Sequence, residues 1–387
     1  MKRWLALASA AACLTAAAPA VKPANYDAFG IALLQRLVPQ AKNANVFISP
    51  LSIGMALSMA ADGARGQTRG AIAHTLGFSA SSFAPPNAAL MAALRENTDA
   101  QIGVANAIWF RQDIPPKTAY VNLLKNKYGA QAQALQFGVP SAAAAINAWT
   151  KAHTLGLIDK LVSQTQKSDF AYLTNALAFK ADWTQPFKKS DTRPRPFTNA
   201  DGSKPNVPTM SETGMFKEID GTISSAVRMP YGKGGYAAYI ILPNTGIPAS
   251  QYVKYMSATN FNRMVQAMTV QRLQVMLPKF TAHYDTSLVG VLKALGMSIA
   301  FTGQADFSSM HSPPPGLTIS DVHHAAYVHV DEKGTTAAAA TSVTIGITAV
   351  QLPPKQFIVD RPFLLALRDE RTGTLLFIGV INNISSS

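Results

Sequence analysis

Cysteine is almost missing: Cys13 is the only one in 387 residues. No disulfide can form within the chain, and thiolate-based zinc or iron–sulfur sites, which need several cysteines, are excluded. Charge is sparse at 14%, and negative charge sparser still, with 21 Asp and Glu against 34 Lys and Arg. Beyond the first twenty residues no apolar run reaches the length that spans a bilayer. The G-x-S-x-G, H-E-x-x-H, G-x-x-x-x-G-K and G-x-G-x-x-G signatures are all lacking, which removes the common hydrolase, zinc-protease and nucleotide-binding readings. No repeat of 20 to 50 residues, long linker or composition break divides the chain. What is present is 48% hydrophobic residues, the content of a soluble globular chain with one large core or two modest ones. Collagen-like, coiled-coil and disordered readings fail on the same composition.

The first twenty residues stand apart. Met1, Lys2 and Arg3 give a positive start, Trp4 to Ala18 is apolar and alanine-rich, and Ala18-Pro19-Ala20 puts small residues where a signal peptidase reads. A cleaved signal peptide over 1–20, a mature start at Val21 and a secreted or periplasmic location are expected. Cys13 follows three alanines, a loose lipoprotein site without the aliphatic residue usual three positions before the cysteine. No membrane association is expected unless the chain is lipidated there. Losing Lys2 and Arg3 takes the net charge from +13 to +11, which raises an anionic partner. The basic residues are spread out, however, and the densest group, Lys188, Lys189, Arg193 and Arg195, is broken by Asp191 and proline. A solvated basic face with no nucleic-acid partner is the expectation.

Helix and strand signals alternate irregularly. Helical spacing covers 25–38, Ser49-Pro50 opens a helix running to Gly63, and 141–154 and 287–295 read as helices closed by glycine. Strand-like runs lie at 237–242, 273–277, 325–330, 357–359, 363–367 and 375–381, with a hairpin turn over 369–374. The fold class is α+β in a single domain over 21–387. Asp321, His323, His324 and His329 form the best metal candidate, but in a strand His324 faces away from His323 and His329. A histidine in a hydrogen-bond network is the better reading, and no metal is expected.

Residues 332–350 break with ordinary domain design. Glu332-Lys333-Gly334 is followed by Thr335, Thr336, Ala337, Ala338, Ala339, Ala340 and Thr341, and no charge occurs from Thr335 through Val350. Exposed loops are rarely so apolar. As a strand, Thr335, Ala337, Ala339, Thr341, Val343 and Ile345 would share one face, with nothing to obstruct pairing or burial. On periodicity alone the segment is either a permanent strand or a loop able to become one.

Here the chain closely resembles the serpin family, from about residue 25 to the C-terminus. The 332–341 segment looks like the hinge of an inhibitory serpin's reactive-centre loop. Asn45-Val46-Phe47-Ile48-Ser49-Pro50-Leu51-Ser52-Ile53 is similar to the family's second-helix signature, and 174–183 with Phe187 to its central strand. Leu277-Pro278-Lys279-Phe280, Leu295-Gly296-Met297, Ala305-Asp306-Phe307-Ser308 and Arg361-Pro362-Phe363 follow in family order.

The resemblance implies a metastable serpin fold of about three β-sheets and eight to nine helices, with an exposed reactive-centre loop at about 332–352. It implies suicide-type inhibition of serine proteases, in which the cleaved loop inserts into the central sheet while the protease is held as an acyl-enzyme. The protein would then be no enzyme, need no cofactor and act as a monomer. The hinge is Glu332, Gly334 and Thr335 to Thr341. Ser49, Ser52, Asn175 and His324 correspond to the shutter cluster beneath the central sheet, and Trp183 to the breach, although ordinary core packing also accounts for a tryptophan there. Counting seventeen residues from Glu332 puts the reactive bond between Thr348 and Ala349. Counting back from Pro353-Pro354 favours one to three residues later, and the hinge count is preferred because insertion length is mechanically constrained. Either register offers small or β-branched residues, so the expected partner is an elastase-like or subtilisin-like protease with a pocket for small aliphatic side chains. The alternative is a non-inhibitory carrier or chaperone, or a loop cleaved as a substrate. Ala181, Thr209 and Gly346 depart from the family pattern, and Gly346 bears on trapping against turnover.

Overall fold

Ser49 and Pro50 start a helix as their chemistry dictates. In the computed structural model the Ser49 hydroxyl accepts the Ser52 backbone N–H at 3.1 Å, and Pro50 is the first residue of α2 (Pro50–Gly63). Every residue of α2 except Asp62 is buried, because the helix runs through the centre of the molecule, touching strands of both major sheets. The structure describes residues 21–79, 83–312, 318–335 and 353–385. The leader with Cys13, and Thr336, Ala337, Ala338, Ala339, Ala340, Thr341, Thr348 and Ala349, lie outside the described residues.

The central sheet has the strand order β10 (Phe280–Ser287), β11 (Ile319–Val330), β4 (Ala171–Asp182), β2 (Gln101–Arg111), β3 (Gln131–Leu135). Neighbours β10/β11 and β4/β2 are antiparallel, whereas the middle pair β11/β4 is parallel. A second hydrogen-bonded network runs β1 (Val46–Ile48), β15 (Leu375–Ile381), β14 (Phe363–Asp369), β8 (Tyr236–Pro243), β7 (Ser224–Tyr231), β6 (Asn206–Asp220), β9 (Thr269–Pro278), β13 (Lys355–Ile358), with β5 (Arg193–Pro196) also on β6. The fifteen-residue β6 is shared: its last four residues pair with β7, Thr209–Glu218 pair with β9, and its first four residues pair with β5. Taken as two sheets that meet at β6, where Lys217 and Glu218 pair on both sides, this network and the central sheet make three.

Around them, among the described residues, stand α1 (Asp27–Leu37), α3 (Gly66–Leu76), α4 (Ala84–Glu96), α5 (Thr118–Leu123), α6 (Pro140–His153), α7 (Ala249–Tyr252), α8 (Ala258–Ala267) and α9 (Val289–Leu292), which with α2 are nine. One large core fills the space between the sheets and α2. A smaller one lies under α6, where Ala105, Ala107, Ala176 and Ala325 form a small-residue row that lets the helix approach the central sheet closely. The helix expected over 287–295 forms from Val289, as α9 continued by a π turn over Lys293–Met297. Ser287 stays in β10, and after α9 the chain turns through Gly296 at φ 110°, a conformation that favours glycine.

Candidate functional site

The middle of the central sheet opens toward one end. Pairing of β11 with β4 runs from Ile319/Ala171 to Ala326/Leu177 and stops there. Beyond it, Ala178–Asp182 of β4 and the last residues of β11 are no longer paired to each other, and a two-residue strand, β12 (Gly334–Thr335), enters the mouth. It is antiparallel to β4, with Gly334 opposite Asp182 and Thr335 opposite Ala181.

Several groups hold the chain there. Glycine is required at 334 because a Cβ would lie 2.1 Å from the Ala181 carbonyl oxygen and 2.7 Å from Asp182 Cα. The Asp331 carboxylate accepts the Lys333 and Gly334 backbone N–H groups at 2.9 and 3.2 Å. Thr335 is buried, its hydroxyl 2.9 Å from the Tyr231 phenol oxygen. Trp183 stacks on Tyr231 with ring centroids 4.3 Å apart, donates from its indole nitrogen to the Asp331 carbonyl at 3.0 Å, and donates its backbone N–H to Lys333 at 2.8 Å. Glu332 is clamped by the Lys279 ammonium at 3.0 Å and the Thr192 hydroxyl at 2.9 Å. Burial works to raise its carboxyl pKa, but the Lys279 and Thr192 contacts prevail and hold it below the ordinary value.

At the closed end of the same seam the structure brings Ser49, Ser52, Asn175 and His324 together. His324 and Asn175 are register partners on β11 and β4, and the imidazole Nδ1 lies 2.7 Å from Asn175 Oδ1. Nε2 accepts the Ser49 backbone N–H at 3.2 Å, so Nδ1 carries the ring proton and donates. Ser52 Oγ lies 3.4 Å from both Asn175 Oδ1 and Asn106 Oδ1. The ring is wholly buried, and desolvation first, with repulsion from His323 second, pushes its pKa down to about 3. A neutral imidazole satisfies both contacts. An imidazolium would turn a donor toward the Ser49 N–H.

Asn106 belongs to this cluster, opposite Asn175 on β2, and family resemblance did not supply it. Its signal was a lone amide in the apolar run 104–110. The metal candidate does not assemble. His323 lies between Asp285 at 2.7 Å and Asp321 at 3.2 Å. Burial works against its charge, but those two carboxylates prevail and raise its pKa to about 9. His329 bonds Thr281 at 2.7 Å, and His324 faces the opposite side. Trp183, Thr335 and Gly334 thus meet at the open end, and the four polar residues at the closed end.

The serpin (serine protease inhibitor) family model matches residues 24–384. Iripin-2 of Ixodes ricinus is 32% identical over 371 residues, covering 92% of each chain. The native structure of tengpin, a thermophilic serpin, superposes with a TM-score of 0.84 at 30% identity over 93% of this chain and 94% of that one. Human thyroxine-binding globulin, complexed with thyroxine, superposes with a TM-score of 0.85 at 25% identity over 93% and 98%. A central sheet parted at one end, matched across nearly the whole sequence and fold, makes this chain a member of the serpin family.

Proposed function

We propose that this protein is a suicide-type inhibitor of serine proteases that accept small aliphatic residues, with the reactive bond between Thr348 and Ala349. The observation that carries the reading is β12, which already sits in the mouth between β4 and β11 in the antiparallel sense a further strand requires. Continued along β4, its register would set Thr341 opposite Asn175, Val343 opposite Leu173 and Ile345 opposite Ala171. The inward face would then be Thr335, Ala337, Ala339, Thr341, Val343 and Ile345, small or apolar residues that a closed core can take in. Thr341 would arrive between Asn175 and His324, and its hydroxyl, both donor and acceptor, suits a site whose present bond must break.

In the inhibitory step the protease serine attacks the Thr348 carbonyl carbon, the C–N bond to Ala349 breaks, and the freed Ala349 amine takes the proton. The acyl ester remains on Thr348 while the strand behind it inserts. The thirteen residues that follow Thr335, up to Thr348, at about 3.3 Å each carry the ester on the order of 40 Å, enough to distort a protease pressed against the far end. The same reading makes 1–20 a removed leader, the location secreted or periplasmic, and the protein a monomer that works without a cofactor.

Thermal unfolding of loop-cleaved protein tests it. An inserted strand adds about ten backbone hydrogen bonds, each worth roughly 1 kcal/mol net, and about 2 °C accompanies each kcal/mol in a domain of this size. Cleavage between 341 and 352 is therefore expected to raise Tm by at least about 10 °C. An unchanged or lower Tm overturns insertion.

A further inference from the structure

Asp331, Glu332 and Lys333 connect the end of β11 at Val330 to the start of β12 at Gly334. The Asp331 backbone N–H donates to the Gly334 carbonyl at 3.0 Å, so Asp331 and Gly334 close a loop made of Glu332 and Lys333. In a regular hairpin the Gly334 N–H would return to the Asp331 carbonyl. That carbonyl already accepts the Trp183 indole N–H at 3.0 Å, and the Gly334 N–H goes instead to the Asp331 carboxylate at 3.2 Å. The Lys333 N–H joins it on the same oxygen at 2.9 Å. The carboxylate thus replaces the carbonyl of its own residue.

The turn needs that support. The two-residue hairpin loops that match the twist of their strands require positive φ, and neither Glu332 nor Lys333 has it. From outside, the Phe187 N–H holds the Glu332 carbonyl and the Trp183 N–H holds the Lys333 carbonyl, both at 2.8 Å. The closing pair also fixes a register. Counted outward from Asp331 and Gly334, Val330 would fall level with Thr335, and His324 with Thr341. Counted along β4 from Gly334 opposite Asp182, Thr341 would fall level with Asn175. His324 and Asn175 are already partners across the seam. The turn, β12 and the closed seam therefore specify one register, and the turn is already the one an inserted strand requires.

We infer that Asp331 is a positioning residue for insertion: its carboxylate fixes the 332–333 turn, so that the cleaved loop zips between β11 and β4 from Thr335 onward without a slip. The inference rests on the inhibitory reading. A slip of one residue would turn every inward side chain outward. While it is corrected, water attacks the Thr348 ester carbon, the bond to the protease serine breaks, and that serine takes back a proton.

The test compares wild type, Asp331→Ala and Asp331→Asn as full chains. Asparagine keeps a side-chain oxygen that can accept both N–H groups, and alanine removes it. With active subtilisin, the ratio of cleaved chain to trapped complex on denaturing gels should rise about 5-fold in Asp331→Ala and stay within about 2-fold of wild type in Asp331→Asn. An unchanged ratio in Asp331→Ala overturns the inference. An equal rise in both variants also overturns it, because the effect would then belong to the charge facing His329, 3.8 Å from the carboxylate. Amide hydrogen exchange in wild type needs no trapping: Lys333 and Gly334 should exchange at least about 100-fold more slowly than in an open chain, before and after loop cleavage alike. Fast exchange before cleavage overturns the preformed turn. If wild type traps no subtilisin, inhibition of that protease fails, while the exchange rates still decide the turn. Melting temperatures within about 2 °C of wild type show that the variants are folded; should Asp331→Ala fall outside that range, the exchange rates in wild type keep the decision.

Discussion

His324→Gln should flatten the acid limb of the stability profile. In the native state the ring is neutral with a pKa of about 3, against about 6.5 in the unfolded chain. The unfolded state therefore binds the extra proton between these values, and stability is complete above about pH 6.5 and falls as pH drops below it. At about 1.4 kcal/mol per pH unit, moving from pH 7.5 to 4.5 costs about 3 kcal/mol from this residue alone. Gln can accept from the Ser49 N–H through its amide oxygen and donate to Asn175, without a proton to gain. His323 works in the opposite sense: its pKa is raised to about 9, so its contribution is present below about 6.5 and lost as pH climbs through 9. Asp27 and Asp62, both raised mainly by burial, contribute equally in both proteins and drop out of the difference. Urea unfolding at several pH values gives the difference directly. Wild type should lose about 3 kcal/mol more than the variant between pH 7.5 and 4.5, and acid limbs agreeing within about 0.5 kcal/mol would refute the reasoning.

Thr335→Arg should convert the inhibitor into a substrate, because a buried position beside Tyr231 cannot take an unpaired charge at a cost of several kcal/mol; denaturing gels should show cleaved chain and no complex. Trp183→Phe removes the indole donor to the Asp331 carbonyl and should cost about 1–2 kcal/mol, read as a Tm lower by roughly 2–4 °C. Protein recovered from an exporting host should begin at Val21 by N-terminal sequencing, and an intact Met1 or a lipid on Cys13 would contradict the leader assignment.

Much of the fold was legible where a cap or a turn is explicit. Ser49-Pro50 announced α2, and the β14–β15 hairpin around 369–374 lies where a glycine between two apolar runs put it. Strands β2 and β4 were harder. Both are alanine-rich and largely buried on both faces, so they lack the alternation of a half-buried strand, and β4 was found only through resemblance. The helix expected from 287 starts two residues later, at Val289, because Ser287, a good cap in isolation, is held in the β10–β11 ladder opposite His323. At the site, the shutter residues came from resemblance, while Asn106, Tyr231 and the Lys279–Glu332 pair escaped notice. These contacts join residues far apart in sequence, and no local pattern encodes which distant strand will lie alongside.

The central claim is that cleavage and trapping happen at one place in one event. Mixing the mature protein with pancreatic elastase and with subtilisin, running denaturing gels and weighing the released C-terminal peptide tests both halves together. The account requires a denaturant-resistant complex and a peptide beginning at Ala349. Cleavage in the loop with no complex, for both proteases, would contradict it.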